Sequence, residues 1–491
     1  MKIHAVVTDT DILIVGAGPV GLFLANECVR RGLRCRLIEQ RPSQSAHSRA
    51  LAIFPRTMEI LDMGGLVAPF LAAANRVTSV AVHAHDRVLA HIRFEPQESP
   101  YPFVAMVPQN VTEQLLVEAL RHRGGAVEYN STLVGLEPQT DAVRVRVNGG
   151  REAREISARF VVGCDGAHSA VRHLLNIPFA GGEYAELFLL ADIETNDALP
   201  ADQMQLCPSE SGAVAIFPMS ATRRRVVATV ARPEGAAPSL ELVRRLLEAR
   251  GPGSLAARAL HWSSYFKVHH RHVKQLRVGR MFVAGDAAHI HSPFGGQGMN
   301  TGMHDVWNLA WKLDLYLRGH GSESLLDSYG AERVPVIESV IGTTDWLTRV
   351  MATPGRFVQG MRNAVIPVMS SLAPLQRAFV ERLSELAVAY DGSPIVEGSG
   401  KRWFDDSLRG SNAPCRRFVL MLGDDNSPTV QRAARDLIAG FSDILELRAV
   451  SGSDATLVRP DGYIASATHH GGTTAALNSM RSLLERQTQA A

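Results

Sequence analysis

At 491 residues the chain is too long for one ordinary hydrophobic core, so two or three domains are expected, and its 46% hydrophobic content is enough to fill them. Lys+Arg 51 against Asp+Glu 49 leaves a formal charge of +2, which gives no basic footprint for nucleic acid. Cys28, Cys35, Cys164, Cys207 and Cys415 are scattered, odd in number and without CxxC spacing, which argues against a disulfide framework and for thiols in a reducing compartment.

The first strand is expected at 11–15, and Gly16-Ala17-Gly18-Pro19-Val20-Gly21 follows it with full G-x-G-x-x-G spacing. Leu22, Ala25, Asn26 and Val29 then keep helical spacing up to Gly32, and a second strand at 34–38 ends in Glu39. This is a βαβ opening for a dinucleotide: glycines for a tight turn, a helix start for a pyrophosphate, and an acid about twenty residues on for ribose hydroxyls. By itself it does not separate FAD from NAD. The run 12–25 is broken by three glycines and a proline, Asp9 and Asp11 stand where a signal peptide carries positive charge, and no stretch of 18 apolar residues occurs. A soluble, cytoplasmic protein with no membrane role is therefore expected.

The loop around Arg49 leads into a helix at 54–61 that stops at Gly64-Gly65, and Pro108-Gln109-Asn110 introduces another at 111–123. Residues 77–94 alternate as strands of a separate sheet. A buried strand at 158–162 runs into Gly163-Cys164-Asp165-Gly166, where an aspartate again stands at a strand end before a helix. Residues 179–273 change to period-two runs with a helix near 240–248. This reads as an antiparallel sheet inserted into the dinucleotide fold, one wall of a pocket, with Phe217 and Pro218 as lining candidates. Arg223-Arg224-Arg225 is expected as a solvated strand entry, and His269, His270 and His272 as residues of a surface strand.

A further strand at 280–284 precedes Gly285-Asp286-Ala287-Ala288-His289-Ile290-His291-Ser292-Pro293-Phe294-Gly295-Gly296-Gln297-Gly298-Met299-Asn300, and a helix with apolar spacing follows. Gly295, Gly296 and Gly298 let backbone approach a flat ligand, the helix start offers N–H groups to an anionic oxygen, and Asp286 is placed to accept from a hydroxyl. His289 and His291 lack a third ligand, so no metal is expected. Trp307 and Trp311 read as core, 324–390 as helical scaffold, and the last ninety residues as a small α/β unit without a CxxC pair.

Together the glycine motif at 16–21, the DG motif at Asp165-Gly166 and the GD motif at Gly285-Asp286 resemble those of single-component (class A) FAD-dependent aromatic hydroxylases. Glu39, Arg49, Arg56-Thr57-Met58-Glu59 and Gln109 fall in matching places. The tail Leu457-Val458-Arg459-Pro460-Asp461-Gly462-Tyr463 resembles the thioredoxin-like ending of the subgroup with polyketide and phenol hydroxylases. The resemblance implies an α/β chain: a Rossmann-like FAD-binding fold of glutathione-reductase type, an inserted antiparallel-sheet substrate domain and a thioredoxin-like C-terminal domain. The implied boundaries are 1–178 for the first FAD-binding part, with strands near 77–105 given to the substrate sheet, then 179–275 for that sheet. Residues 276–395 form the second FAD-binding part with the scaffold, and 400–491 the tail.

It further implies noncovalent FAD. Gly16, Gly18 and Gly21 would lie along the pyrophosphate and Glu39 on the adenosine ribose. Arg49 and Gln109 would reach the phosphate and ribityl region, and Asp286 the ribityl or pyrophosphate end. Gly296, Gly298, Met299 and Asn300 would edge the flavin pyrimidine, the Pro293 carbonyl would face ring and substrate, and Asp165 would support flavin and transient NADPH or NADH. Pro19, Val20 and Gln40 complete the implied cofactor contacts, and Phe294 joins Phe217, Pro218 and Pro293 as substrate lining. The implied reaction is hydroxylation of an aromatic, phenolic or polyketide substrate with O₂ through a flavin C4a-hydroperoxide, in a monomer or homodimer, with no obligatory catalytic side chain. A Baeyer–Villiger or decarboxylative oxidation, or a non-catalytic flavin-binding role, is the alternative on the same fold.

Overall fold

The computed structural model describes residues 8–488 apart from 46–47, 85–86, 95–97, 150–152, 197–198, 254, 354, 411–415, 425–426 and 469–471. Cys415 lies outside the described residues; Cys28, Cys35, Cys164 and Cys207 are free thiols. The central sheet is built on Thr10–Val15, flanked in parallel by Cys35–Ile38 and Ala153–Gly163, with Met281–Val283 parallel to the latter. Ile12, Leu13 and Ile14 are all fully buried, as expected of a strand covered on both faces. Register carries the functional consequence. Val15 pairs with Ile38 and with Gly163, and Gly163 pairs with Val283. Three loops some 120 to 270 residues apart in sequence therefore leave the sheet at one edge, where open α/β sheets bind ligands.

Glycine is obligatory where these loops meet. Gly16 has φ +100, and a Cβ there would stand 2.5 Å from the Cys164 carbonyl oxygen; one on Gly21 would stand 2.0 Å from the Gly16 carbonyl oxygen. The helix Pro19–Arg30 starts with Pro19 in its first turn, where a missing N–H costs nothing, and Gly32 follows its end with φ +69.

A second, mostly antiparallel sheet of eight strands runs in the order His289–Ile290, Ala257–His272, Ala180–Thr195, Arg223–Val230, Gly212–Pro218, Gln203–Ser209, Ser79–Ala84, Arg87–Arg93. The strands expected at 77–94 thus extend the sheet of the 179–273 segment. Its first strand belongs to the glycine loop itself, so this sheet and the cofactor-type loop are hydrogen-bonded together. Of the basic run, Arg223 is an exposed strand entry, but Arg224 and Arg225 are not solvated: they are 1% and 2% exposed. Arg223–Val230 is an interior strand, and Arg225 meets in register an aspartate on its neighbour. Its Nε and Nη2 donate to Asp192 Oδ1 and Oδ2 at 2.7 and 2.8 Å.

Helix Gly298–Leu317 runs through the interior, and Glu323–Ala352, Arg356–Ser371 and Ala373–Leu383 follow it. The C-terminal unit places Phe418–Gly423 parallel to Leu445–Val450 and antiparallel to Ala455–Val458, which pairs with Ile464–Ala467; helices Pro428–Gly440 and Thr473–Thr488 accompany it. Trp307 and Trp311 are buried, and their indole N–H groups donate to the Asp461 carbonyl and carboxylate at 3.0 and 3.1 Å, pinning the tail to the long helix. Among the described residues no helix is long and apolar enough to cross a membrane.

Candidate active site: two cavities that share a wall

At the common edge of the three loops lies a cavity of about 390 Å³. Gly18, Pro19 and Val20 line it from the first loop, Arg49 and Gln109 from the next segments, Cys164 and Gly166 from the second motif, and Asp286, Pro293, Gly296, Gly298 and Met299 from the third. A Cβ on Gly18 would meet nothing within 4 Å, so the chain's closest-approach point faces open space. Helix Gly298–Leu317 begins at the cavity with no side-chain cap, leaving its first N–H groups and the positive end of its dipole for a ligand. Asp286 projects into the open space. The surrounding protein desolvates its carboxyl and raises its pKa, against the pull of His289 and Arg49.

The remaining anticipated residues stand behind this wall. Glu39 Oε2 accepts from the Ala17 amide at 2.8 Å and Oε1 from Arg41 Nε at 3.0 Å. Burial raises its pKa, but these bonds outweigh burial and leave it lowered. Gln40 is exposed. Asp165 accepts from Ser169 Oγ at 2.6 Å and from the Val171 amide at 3.1 Å, so its carboxylate caps the short helix Ala170–Leu174 while its neighbours Cys164 and Gly166 face the cavity. Asn300 does not line the cavity. Its carboxamide accepts from the Phe54 amide at 2.9 Å and donates to Ala52 O at 3.0 Å and Gly296 O at 3.1 Å, which sets the height of the glycine loop against the strand Ala52–Ile53. Gln109 is tied to Ala50 and Glu113 by its side chain while still bordering the space.

A second cavity, about 450 Å³ and almost wholly apolar, adjoins the first. Ala52, Phe217 and Gly296 line both. Pro218, the other substrate-wall candidate, is buried outside both linings, because adjacent strand residues face opposite sides of the sheet. Pro293 belongs to the first cavity only, and the Phe294 side chain lies outside the described residues. Opposite the sheet, this cavity is bordered by the three helices of the 324–390 segment, with Trp346, Val350, Met361, Val365 and Phe379 among its lining. The segment is therefore cavity wall as well as scaffold. Its amphipathic spacing is readable in the sequence; which element its apolar face would meet is not.

The loop's two histidines differ. His289 Nε2 lies 2.7 Å from Asp305 Oδ2, and Asp305 also takes Arg333 Nε at 2.8 Å and the Gly285 amide at 3.0 Å. Burial alone would raise Asp305, but His289, Arg333 and the amide hold it down to about 2. His291 borders the first cavity, and burial, helped by His289, pushes it down to about 4, so it is neutral near pH 7. No group of three or more His, Cys, Asp or Glu suited to a metal occurs among the described residues.

Known proteins are similar to this chain in sequence and fold. Residues 9–344 match the family described as FAD binding domain. The chain is 34% identical to 6-methylpretetramide 4-monooxygenase of Streptomyces rimosus over 94% of this chain and 92% of that protein. It is 32% identical to rifampicin monooxygenase of Streptomyces venezuelae over 93% and 95%. In structure it is similar to the anhydrotetracycline hydroxylase OxyS of Streptomyces rimosus, with a TM-score of 0.79, 29% identity and coverage of 98% of this chain and 99% of that one. With more than half its length matched, from the first glycine loop through the third and into the helical wall, the chain belongs to the FAD binding domain family.

Proposed function

We propose that this flavoprotein monooxygenase hydroxylates a flat, fused-ring phenolic substrate of the polyketide class, with NADPH or NADH as transient reductant and O₂ as oxidant. One observation carries the reading: the glycine-lined cavity and the apolar cavity have Ala52, Phe217 and Gly296 in common, so ligands in the two are in reach of each other. The relatives named above act on aromatic polyketides or rifampicin by their names, which supports the same substrate class here.

The residues fit FAD: a turn open at Gly18 for pyrophosphate, Asp286 for hydroxyls, a bare helix start at Gly298 for an electron-rich ring edge, and glycine backbone for a flat surface. Bound there, FAD would supply the two-electron redox chemistry that links nicotinamide, O₂ and the ring, one oxygen atom ending on the ring and the other in water. The protein's part is positional. Gly16 and Gly21 make the turn, Asn300 fixes the loop carrying Gly296, and Arg225 holds the Arg49–Ala50 backbone by donating to both carbonyls, at 2.8 and 3.2 Å. The helix dipole at Gly298 favours negative charge on its ligand. The apolar helices and Phe217 give the reacting ring an apolar surround.

The proposal includes the domain boundaries given above, a thioredoxin-like tail, supported by the strand–helix–strand–strand–strand–helix order of its elements, a monomer or homodimer and a cytoplasmic location. The test is a screen of fused-ring phenols for stimulated NAD(P)H oxidation by the FAD-loaded protein, with product mass. A product heavier by one oxygen and still phenolic supports hydroxylation; a lactone, or no stimulation by any aromatic compound, overturns it.

A further inference from the structure

The apolar cavity holds one anomaly. Among the described residues lining it, a single side chain is charged: Arg362, on the helix Arg356–Ser371. Val358, Met361, Val365 and Ile366 of the same helix also line the space, so the arginine stands in the middle of an apolar stripe, at a position where helical spacing calls for a hydrophobic residue. It is 5% exposed.

Its bonds do not account for its charge. Nη1 donates to Ser209 O at 3.3 Å and to Gln359 Oε1 at 3.1 Å, and Nη2 donates to Thr353 O. All three acceptors are neutral. Nε is screened from water and has no partner, so two of the five N–H donors are unused. Among the described residues no carboxylate lies within ion-pair distance of it, whereas buried Arg31, Arg56, Arg225, Arg333 and Arg459 each have one. Burial lowers its pKa, but a guanidinium remains protonated under any condition the protein meets. A desolvated cation with no counter-charge is costly, and a ligand's anion relieves that cost.

Position decides what such an anion would be. Arg362 lines the apolar cavity but not the glycine-lined one, while Gly296 lines both. A substrate whose ring lies at Gly296 therefore presents a different part of itself to Arg362. We propose that Arg362 is a specificity-determining residue that recognises an oxyanion on the substrate, a carboxylate or an ionised phenol or β-dicarbonyl, remote from the ring carbon that is oxidised. This rests on the reading of the apolar cavity as the substrate site. The planar guanidinium suits two-oxygen recognition, for which a lysine is a poor substitute. The acid group fixes the long axis of a flat ligand in a wall whose other polar side chains among the described residues, Ser370 and Gln376, carry no charge.

The experiment measures binding alone, by quenching of protein fluorescence in the FAD-loaded protein without NAD(P)H, so it is independent of whether any compound is hydroxylated. Two probe pairs are used: anthraquinone-2-carboxylate with its carboxamide, and alizarin with its 2-O-methyl ether at a pH that ionises alizarin. The wild type is expected to bind the anionic member of at least one pair about ten- to a hundredfold more tightly, the worth of a charge-assisted hydrogen bond. A carboxylate preference and a phenolate preference separate the two sources of oxyanion. Arg362→Met is expected to erase that preference while changing the neutral member's Kd less than about threefold, and Arg362→Lys to recover part of it. Equal loss for both members in Arg362→Met makes the arginine a strut between Ser209 and Thr353 and overturns the proposal. So does an absence of preference in the wild type, a result that needs no variant to fold.

Discussion

Arg459 and Glu332 form a sealed ion pair across the seam between the C-terminal unit and the long-helix layer: Nη2 donates to Oε2 at 3.0 Å, and neither side chain is exposed. Glu332 also accepts from Lys312 Nζ at 2.7 Å, Asn308 Nδ2 at 2.7 Å and Ser393 Oγ at 2.6 Å, while Arg459 holds Asp461. Burial raises Glu332, but Arg459 and Lys312 outweigh it and keep the carboxylate ionised. The tail is thereby joined to the helix whose first turn opens the glycine-lined cavity.

Removing the carboxylate leaves two buried cations facing each other with Asp461 as their remaining acid. Glu332→Ala is expected to lower stability by about 3 to 5 kcal/mol, the cost of breaking one side of a buried pair. Urea unfolding of the FAD-loaded protein reads it. A loss below about 1 kcal/mol would show that the seam holds by apolar packing alone.

Asp286→Ala tests the cofactor cavity. The side chain lines the space, and its carboxylate has no hydrogen-bond or ion-pair partner among the described residues, so folding should survive. Losing one or two hydrogen bonds to ligand hydroxyls weakens FAD binding by about 1 to 3 kcal/mol, roughly ten- to a hundredfold. Retention of FAD at the parent's Kd would remove Asp286 from the site.

The three glycine loops were legible because each is a local signal: strand, glycine, helix start. Their convergence is dictated by parallel pairing, which levels Val15, Gly163 and Val283. What escaped the sequence is long-range pairing of polar groups. Arg225 looks like a surface cation until Asp192 is found opposite it in the sheet, and Asn300 looks like a ligand contact until its carboxamide is found between Phe54, Ala52 and Gly296. Arg362 lies in a helix readable as amphipathic, but only the fold shows that its apolar face encloses a cavity. Thr57, His304 and Glu385 form a similar hidden chain, with His304 Nε2 2.9 Å from Thr57 Oγ1 and Nδ1 2.9 Å from Glu385 Oε2.

Asn300→Ala removes three hydrogen bonds at once, two of them buried, and leaves the Phe54 amide without its acceptor. A stability loss of about 2 to 3 kcal/mol is expected, with the loop height at Gly296 no longer set. The second readout is the visible spectrum of bound FAD, which should broaden toward that of free flavin. An unchanged spectrum and Tm would show that the loop is held from elsewhere.

Asp305 gives a pH dependence with a defined sign. Its pKa is held at about 2 against an ordinary value of 3.8. In acid the unfolded chain takes the proton first, so the native state loses on the order of 2 kcal/mol as pH falls from about 4 through 2; above about pH 4 the contribution is complete. The stability gap between the parent and Asp305→Asn should stay constant from pH 7 to about 4.5 and narrow below that. Urea midpoints at a series of pH values check this, and a gap that stays constant to the lowest accessible pH would show that the carboxyl is not held down.

Gly296 is where the two cavities meet, and its φ of +62 is a conformation that β-branched residues rarely adopt. A Cβ at this position would stand 3.5 Å from the Phe54 ring and 3.6 Å from the Ala52 Cβ, ordinary contact for a single carbon. Gly296→Ala therefore costs the backbone strain alone, about 1 to 2 kcal/mol. Gly296→Val adds two methyl groups beside Phe54 in a wall that both ligands share, so it displaces the loop or intrudes on the cavities. The glycine turn at Gly18, proposed for the pyrophosphate, is untouched, and FAD should still bind. Separating the substrate ring from the cofactor and admitting water between them diverts reducing equivalents into hydrogen peroxide. The measurement is product formed per NAD(P)H consumed, with peroxide assayed in parallel. The ratio should fall from parent to alanine to valine as peroxide rises. A valine variant that binds FAD and keeps the parent's ratio would show that Gly296 serves the loop's turn and not the contact between the two sites.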